Sequence, residues 1–257
     1  MITLSVYSAE NQLLAQSAHP SEAMLCVDRI YQPGDRIEIS GDAEHVIFQP
    51  DQAILPAEVY LPTGHMTWTV PHGEHLLAYQ PAAFQGPRHL LTARVMEKEE
   101  TARRRNVANN PADLRGDTDF YPHCTANVET RGESCFAARN VIDGIRIGNY
   151  HGEWPYQSWG IGAREDAWCL LELGREVLVD SMALTLRSDF PHDAYWVSGH
   201  VLLSDGTRIA YPLEKTGDRQ IISFGGTHRV RWLRLEEMRK SNDPSAFPSL
   251  RQWEVFG

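Results

Sequence analysis

Ile2, Leu4 and Val6 alternate with polar neighbours. That period of two sends one side of a strand toward a core and the other toward solvent. Comparable short runs recur at 23–31, 36–40, 46–49, 57–61, 65–70 and 89–95. Turn-forming sequences separate them, such as Gln32-Pro33-Gly34-Asp35 and Pro62-Thr63-Gly64. Short strands punctuated in this way predict an all-β domain of sandwich or barrel type over residues 1–95.

The pattern then stops. Residues 96–105 read MEKEETARRR, acidic first and basic last, which suits the dipole of a short exposed helix and places a connector at 96–112. From 113 to 162 the chain lacks periodicity yet carries seven aromatic residues between Phe120 and Trp159. So many aromatics predict a long loop that is ordered, not disordered. Strand patterns resume at 167–172, 177–187, 197–203, 207–212, 220–224, 229–236 and 251–256. Alternation is cleanest at Leu184 and Leu186 and at Val230, Trp232 and Leu235, where one interruption reads as a bulge. A second β-sandwich is therefore expected over 113–257.

Composition agrees with two folded domains: 257 residues, 42% hydrophobic and 23% charged. The net charge of −10 is unevenly placed, with 5 Lys+Arg against 13 Asp+Glu in residues 1–100 and 19 against 21 in the remainder. Such a surface opposes a phosphate backbone, so nucleic acid is not an expected partner. No apolar run approaches the length of a membrane span, and no membrane partner is expected. The alternating start of the chain lacks a basic-then-apolar leader, which predicts a cytoplasmic protein. Cys26, Cys124, Cys135 and Cys169 form no CxxC pair and are expected to be free thiols.

Five pieces of the C-terminal half occur in a telling order: Ala137-Ala138-Arg139-Asn140-Val141-Ile142-Asp143-Gly144, Trp168 through Gly174, Val177 to Leu186, Leu203-Ser204-Asp205-Gly206, and Gln252-Trp253-Glu254-Val255-Phe256-Gly257. Over residues 134–257 they resemble the galactose-binding-like, or discoidin (coagulation factor 5/8 C-type), domain family. The resemblance implies a jelly-roll sandwich with its ligand at the loops of one end, here 149–162 and 187–196. It also implies a structural calcium held by Asp143 and Glu254, oxygen donors of the kind calcium takes; no other cofactor is implied. Members of such a fold bind sugars, lipids or proteins, so the fold alone names no ligand. The segment His151-Gly152-Glu153-Trp154-Pro155-Tyr156-Gln157-Ser158-Trp159 departs from the family's shorter loop.

Sugar recognition needs a flat apolar face for the C–H side of a pyranose and planar polar groups for its hydroxyls. Trp154, Tyr156, Trp159 and Trp196 supply the first, and His151, Glu153, Arg187, Asp189, His192 and Asp193 the second. His123, Asn127, Glu129 and Arg131 alternate along a neighbouring stretch and are candidates to face the same cleft. The expected function is binding of a saccharide at these loops. Three other readings stand beside it: the loop aromatics are internal pins, Glu and His in the same loops perform acid/base chemistry on a carbohydrate, or the chain is an assembly module whose aromatics fill a protein interface. Pro71-His72-Gly73-Glu74-His75 has ligand-like spacing, but its glycine and proline predict a surface turn.

Overall fold

A computed structural model describes residues 1–148, 152–188 and 194–257. In the N-terminal half the alternating runs form β1 (Ile2–Tyr7), β2 (Leu13–His19), β3 (Glu22–Asp28), β4 (Arg36–Gly41), β5 (His45–Gln49), β6 (Ala57–Tyr60), β7 (His65–Thr69) and β8 (Arg88–Val95). They pair antiparallel as two four-stranded sheets, β2-β1-β4-β7 and β3-β8-β5-β6. Alternation does the sorting: in β3, Ala23, Leu25 and Val27 point inward while their neighbours face solvent. Ile37, Ile39, Trp68, Phe48 and Leu91 belong to the same core. The edge strand β2 had no clear signal in the sequence, because its LLAQSAH is only half-buried and buries no continuous face.

After the short helix α1 (Lys98–Ala102) come β9 (His123–Ala126), β10 (Trp159–Gly160), β11 (Cys169–Arg187), β12 (Trp196–Leu203), β13 (Arg208–Pro212), β14 (Gln220–Lys240) and β15 (Ser249–Phe256). They make one antiparallel seven-stranded sheet, ordered β10-β15-β11-β14-β12-β13 with β9 against β11. The runs 167–172 and 177–187 are not two strands but parts of β11, and 220–224 and 229–236 are parts of β14. Register shifts at Glu172/Val177 and Val179/Ser181 interrupt their pairing without ending it. Leu171, Met182, Leu184, Trp196, Leu233 and Trp253 all lie in a second core. The fold is all-β, built around two hydrophobic cores.

The halves are tightly joined. Ala112 and Phe120 are buried in the N-terminal core, the Trp68 indole donates to the Ala112 carbonyl at 2.7 Å, and Tyr60 forms an antiparallel bridge with Tyr121. The sequence 71–75 is more than a surface turn. It leads into a 3-10 helix at Gly73–Ala78, from which Glu74 accepts from the Ser134 hydroxyl at 2.7 Å. Glu58 on β6 completes the junction. Its carboxylate meets His45 at 2.7 Å, Arg105 at 2.8 Å and Arg175 of β11 at 2.7 Å.

Burial alone would raise the pKa of Glu58, but His45, Arg175 and Arg105 outweigh it and lower the value to about 2. A depressed carboxyl contributes stability above its unfolded pKa and loses it as pH falls through the folded one. The contribution, about 3 kcal/mol at roughly 1.4 kcal/mol per unit, should be complete above about pH 4.5 and gone near pH 2. Urea titrations from pH 7 to 2 should show wild type converging on Glu58→Gln in acid; parallel curves would rule out this clasp.

Candidate functional site

Arg139 sits in the 3-10 turn Ala138–Ile142 and is buried where the two halves meet. Its guanidinium donates to the carbonyls of Asp113 at 2.8 Å, Pro111 at 2.6 Å and Ala78 at 3.2 Å, and to Asn140 Oδ1 at 3.3 Å. It also lies over the Tyr79 ring, 4.5 Å from the centroid, a cation–π arrangement. Arg139, Tyr79 and Ala78 form a wall shared by two cavities. The larger, about 390 Å³, has His72, His75, Arg115 and Asp117 in its lining.

The smaller cavity, about 270 Å³, takes Leu55, Ile54 and Gln80 from the N-terminal half and Ile145, Trp154 and Asp143 from the C-terminal half. Trp154 is half-buried, and its Nε1 has no hydrogen-bond partner among the described residues. Asp143 is 5% exposed and accepts from the Ile145 amide at 2.8 Å. Burial raises its pKa to about 7, against the pull of Arg139, that amide and Arg251. A carboxyl that titrates near neutrality offers a donor in one form and an acceptor in the other. An apolar rim over a few convergent polar groups is the usual composition of a small-molecule site.

The other residues expected at a cleft are dispersed. Trp159 and Trp196 are 0% and 1% exposed and lie 6.2 Å apart, nearly parallel, inside the C-terminal core. Trp159 donates to the Val128 carbonyl at 2.8 Å, which fixes that indole in the core, whereas the edge of Trp196 reaches the lining of a third cavity of about 690 Å³ beside Ile161 and Met238. Arg187 is buried too, with its guanidinium 5.9 Å from the centre of the Tyr156 ring. Tyr156 packs edge-on against Phe136. Glu153 is exposed. His151, Asp189, His192 and Asp193 lie outside the described residues.

The stretch 123–131 presents no polar row to a cleft. His123 is buried, with Nδ1 2.7 Å from Asp113; burial opposes its charge, but Asp113 and Glu172 raise its pKa. Asn127 bridges to the Trp168 amide and the Asp166 carbonyl, and Glu129 accepts from the Ala138 amide and from Arg115. Arg131 pairs with Glu133. The alternation fails because β9 ends at Ala126 and the chain turns at Arg131 and Gly132, whose φ angles are 53° and 66°.

Calcium does not fit the residues implied for it. Asp143 faces the cavity containing Trp154, whereas Glu254 lines a different one. The Glu254 carboxylate already accepts from Arg219 Nε at 2.6 Å and lies 3.7 Å from Arg146. Two guanidinium groups there repel a divalent cation, which would need six to eight oxygen ligands. Among the described residues no group of three His, Cys, Asp or Glu could hold a metal ion. Arg139, Tyr79, Gln80 and Leu55 were missed as cavity residues; the only signal was Arg139, inside the stretch 137–144 that carries the family resemblance.

No protein-family model and no curated protein matches this chain. Among solved structures it is similar to chitosan-binding module 1 of a chitosanase/glucanase from Paenibacillus sp. IK-5, at 18% identity and a TM-score of 0.41 over 60% of this chain and 99% of that one. It is similar to a family 32 carbohydrate-binding module of C. perfringens NanJ in complex with galactose, at 15% and 0.40 over 52% and 92%. It is also similar to the lectin domain of lectinolysin complexed with Lewis B antigen, at 16% and 0.43 over 59% and 96%. The strand topology described above, and not these likenesses, defines the fold class.

Asp143 should make stability fall as pH rises. A carboxyl whose folded pKa, about 7, exceeds the unfolded value of 3.8 favours folding most in acid and loses that advantage between about pH 4 and 7. Asp143→Asn removes the titration and should gain about 4 kcal/mol relative to wild type between pH 4 and 8. Denaturation midpoints of the pair across that range provide the check, and a constant difference would contradict the shift.

Proposed function

We propose that this protein binds a saccharide and that one ring of the ligand occupies the 270 Å³ cavity against Trp154. The observation that carries the reading is the half-buried indole, its N–H without a partner among the described residues, beside the buried Asp143 and Arg139. The indole provides an apolar surface for the C–H side of a sugar and a donor for a hydroxyl. Asp143 and Gln80 supply polar groups at the same cavity. The volume suits a single ring, being slightly under the roughly 300 Å³ at which drug-sized pockets begin.

The glycoside-cleaving alternative receives less support. That chemistry uses two carboxyl groups flanking the bond, and Asp143 is the one carboxyl among the described lining residues. The assembly reading draws on exposed apolar side chains such as Leu55, Ile147 and Phe247.

Saturation-transfer NMR with a panel of mono- and oligosaccharides should reveal bound sugars without new sugar signals. Trp154→Ala should weaken the best ligand at least tenfold, as loss of a central aromatic anchor does, while leaving Tm unchanged. Undiminished affinity in that variant would reject the cavity, and appearance of product signals would replace binding with catalysis.

A further inference from the structure

The segment 143–146 has two sides. Asp143 and Ile145 line the cavity beneath Trp154. Gly144 and Arg146 line another of about 280 Å³, completed by Asn106, Asn109, Gln252 and Glu254. Among the described residues its lining contains no aromatic or aliphatic side chain.

Gln252 is 1% exposed. Its Oε1 accepts from the Gly144 amide at 3.2 Å, which fixes the orientation of the carboxamide. Nε2 is then buried with no partner among the described residues, a costly arrangement for a donor unless something outside the chain satisfies it. Asn106 is committed similarly. Its Oδ1 accepts from the Ala108 and Val255 amides at 3.1 and 3.0 Å, leaving Nδ2 as the remaining donor.

Charge points the same way. The Glu254 carboxylate is held by Arg219 at 2.6 Å, so Arg146, 3.7 Å away and half exposed, is not needed to neutralise it. Two guanidinium groups against one carboxylate leave a single net positive charge. Gly144, at φ +84°, lets the backbone lie against Asn109, whose Oδ1 would be 2.8 Å from any Cβ placed there. The cavity therefore combines one buried amide donor without a partner among the described residues, a second amide group on Asn106, one uncompensated positive charge and an amide oxygen able to receive a hydroxyl.

We propose that this second cavity binds the carboxylate of a small hydroxylated acid, with a uronic acid unit as the match in size. The carboxylate accepts from Gln252 Nε2, Asn106 Nδ2 and Arg146, charge-assisted contacts that a neutral sugar cannot reproduce. A dianion would exceed the single compensating charge. The site is independent of the saccharide cavity beneath Trp154.

Calorimetry on the full chain at fixed ionic strength, with glucuronate, lactate and glucose as probes, tests the assignment. In the Trp154→Ala chain, where the other cavity is disabled, glucuronate should bind, with glucose at least about tenfold weaker, the factor expected for one charge-assisted contact. Gln252→Glu keeps the acceptor for Gly144 but replaces the donor with negative charge, and should abolish glucuronate binding. Arg146→Gln, at the surface, should weaken it about tenfold without unfolding. Trp154→Ala should leave glucuronate affinity unchanged, which separates this site from the other cavity. Lactate binding as tightly as glucuronate would support the carboxylate chemistry and identify a free acid as its source. Equal affinity for glucose in Trp154→Ala, full affinity in Arg146→Gln, or no heat with either acid would overturn the proposal.

Discussion

A buried guanidinium hydrogen-bonded chiefly to backbone carbonyls holds the centre of this structure. Moving a charge out of water is costly, and Arg139 offsets that cost with carbonyls from Ala78 on one side of the junction and Pro111 and Asp113 on the other. The Asp113 carbonyl also accepts from the Tyr79 hydroxyl at 3.2 Å, so two side chains converge on that buried group. The fixed fork of donors sets the path of 111–113 relative to 78. It also places Tyr79, under the guanidinium, between the cavities.

The same residue shapes the electrostatics of the seam. Arg139 lowers the cost of an ionised Asp143, yet burial still wins and keeps that carboxyl near neutrality. At Glu58 the balance is reversed, because three cationic or protonatable partners outweigh burial. The difference lies in partner contact. Glu58 has direct hydrogen bonds from His45, Arg105 and Arg175, whereas Asp143 receives one from a neutral amide. One carboxyl therefore serves as a structural anchor and the other remains available at a cavity.

Much of the strand architecture was legible because it is local. A period of two is visible in a few consecutive residues, as at Ala23, Leu25 and Val27. Where a strand sits at an edge, as in Leu13–His19, the period fades with the burial that creates it. The candidate site was far less legible. Trp154 and Trp159 are chemically identical and five residues apart, but one borders a cavity and the other is enclosed. What separates them is packing against Trp196 and the carbonyl of Val128, contacts that no local pattern encodes. The cavity itself assembles Leu55 and Gln80 with Asp143 and Trp154, residues that meet only when two cores dock. Buried charges misled in the same manner: His123 reads as a surface ligand until Asp113 is placed beside it.

The sharing of residues 112–120 has a consequence for the order of events during synthesis. Ala112 and Phe120 complete the N-terminal core, and the Ala112 carbonyl receives the indole of Trp68. A nascent chain ending at Val95, the last residue of the eighth strand, holds both N-terminal sheets but not the groups that seal them. Vectorial folding usually proceeds one domain at a time from the N-terminus. Here the N-terminal core is complete only once residues 112–120 have emerged, so the last groups to seal it come from chain that lies beyond its own strands.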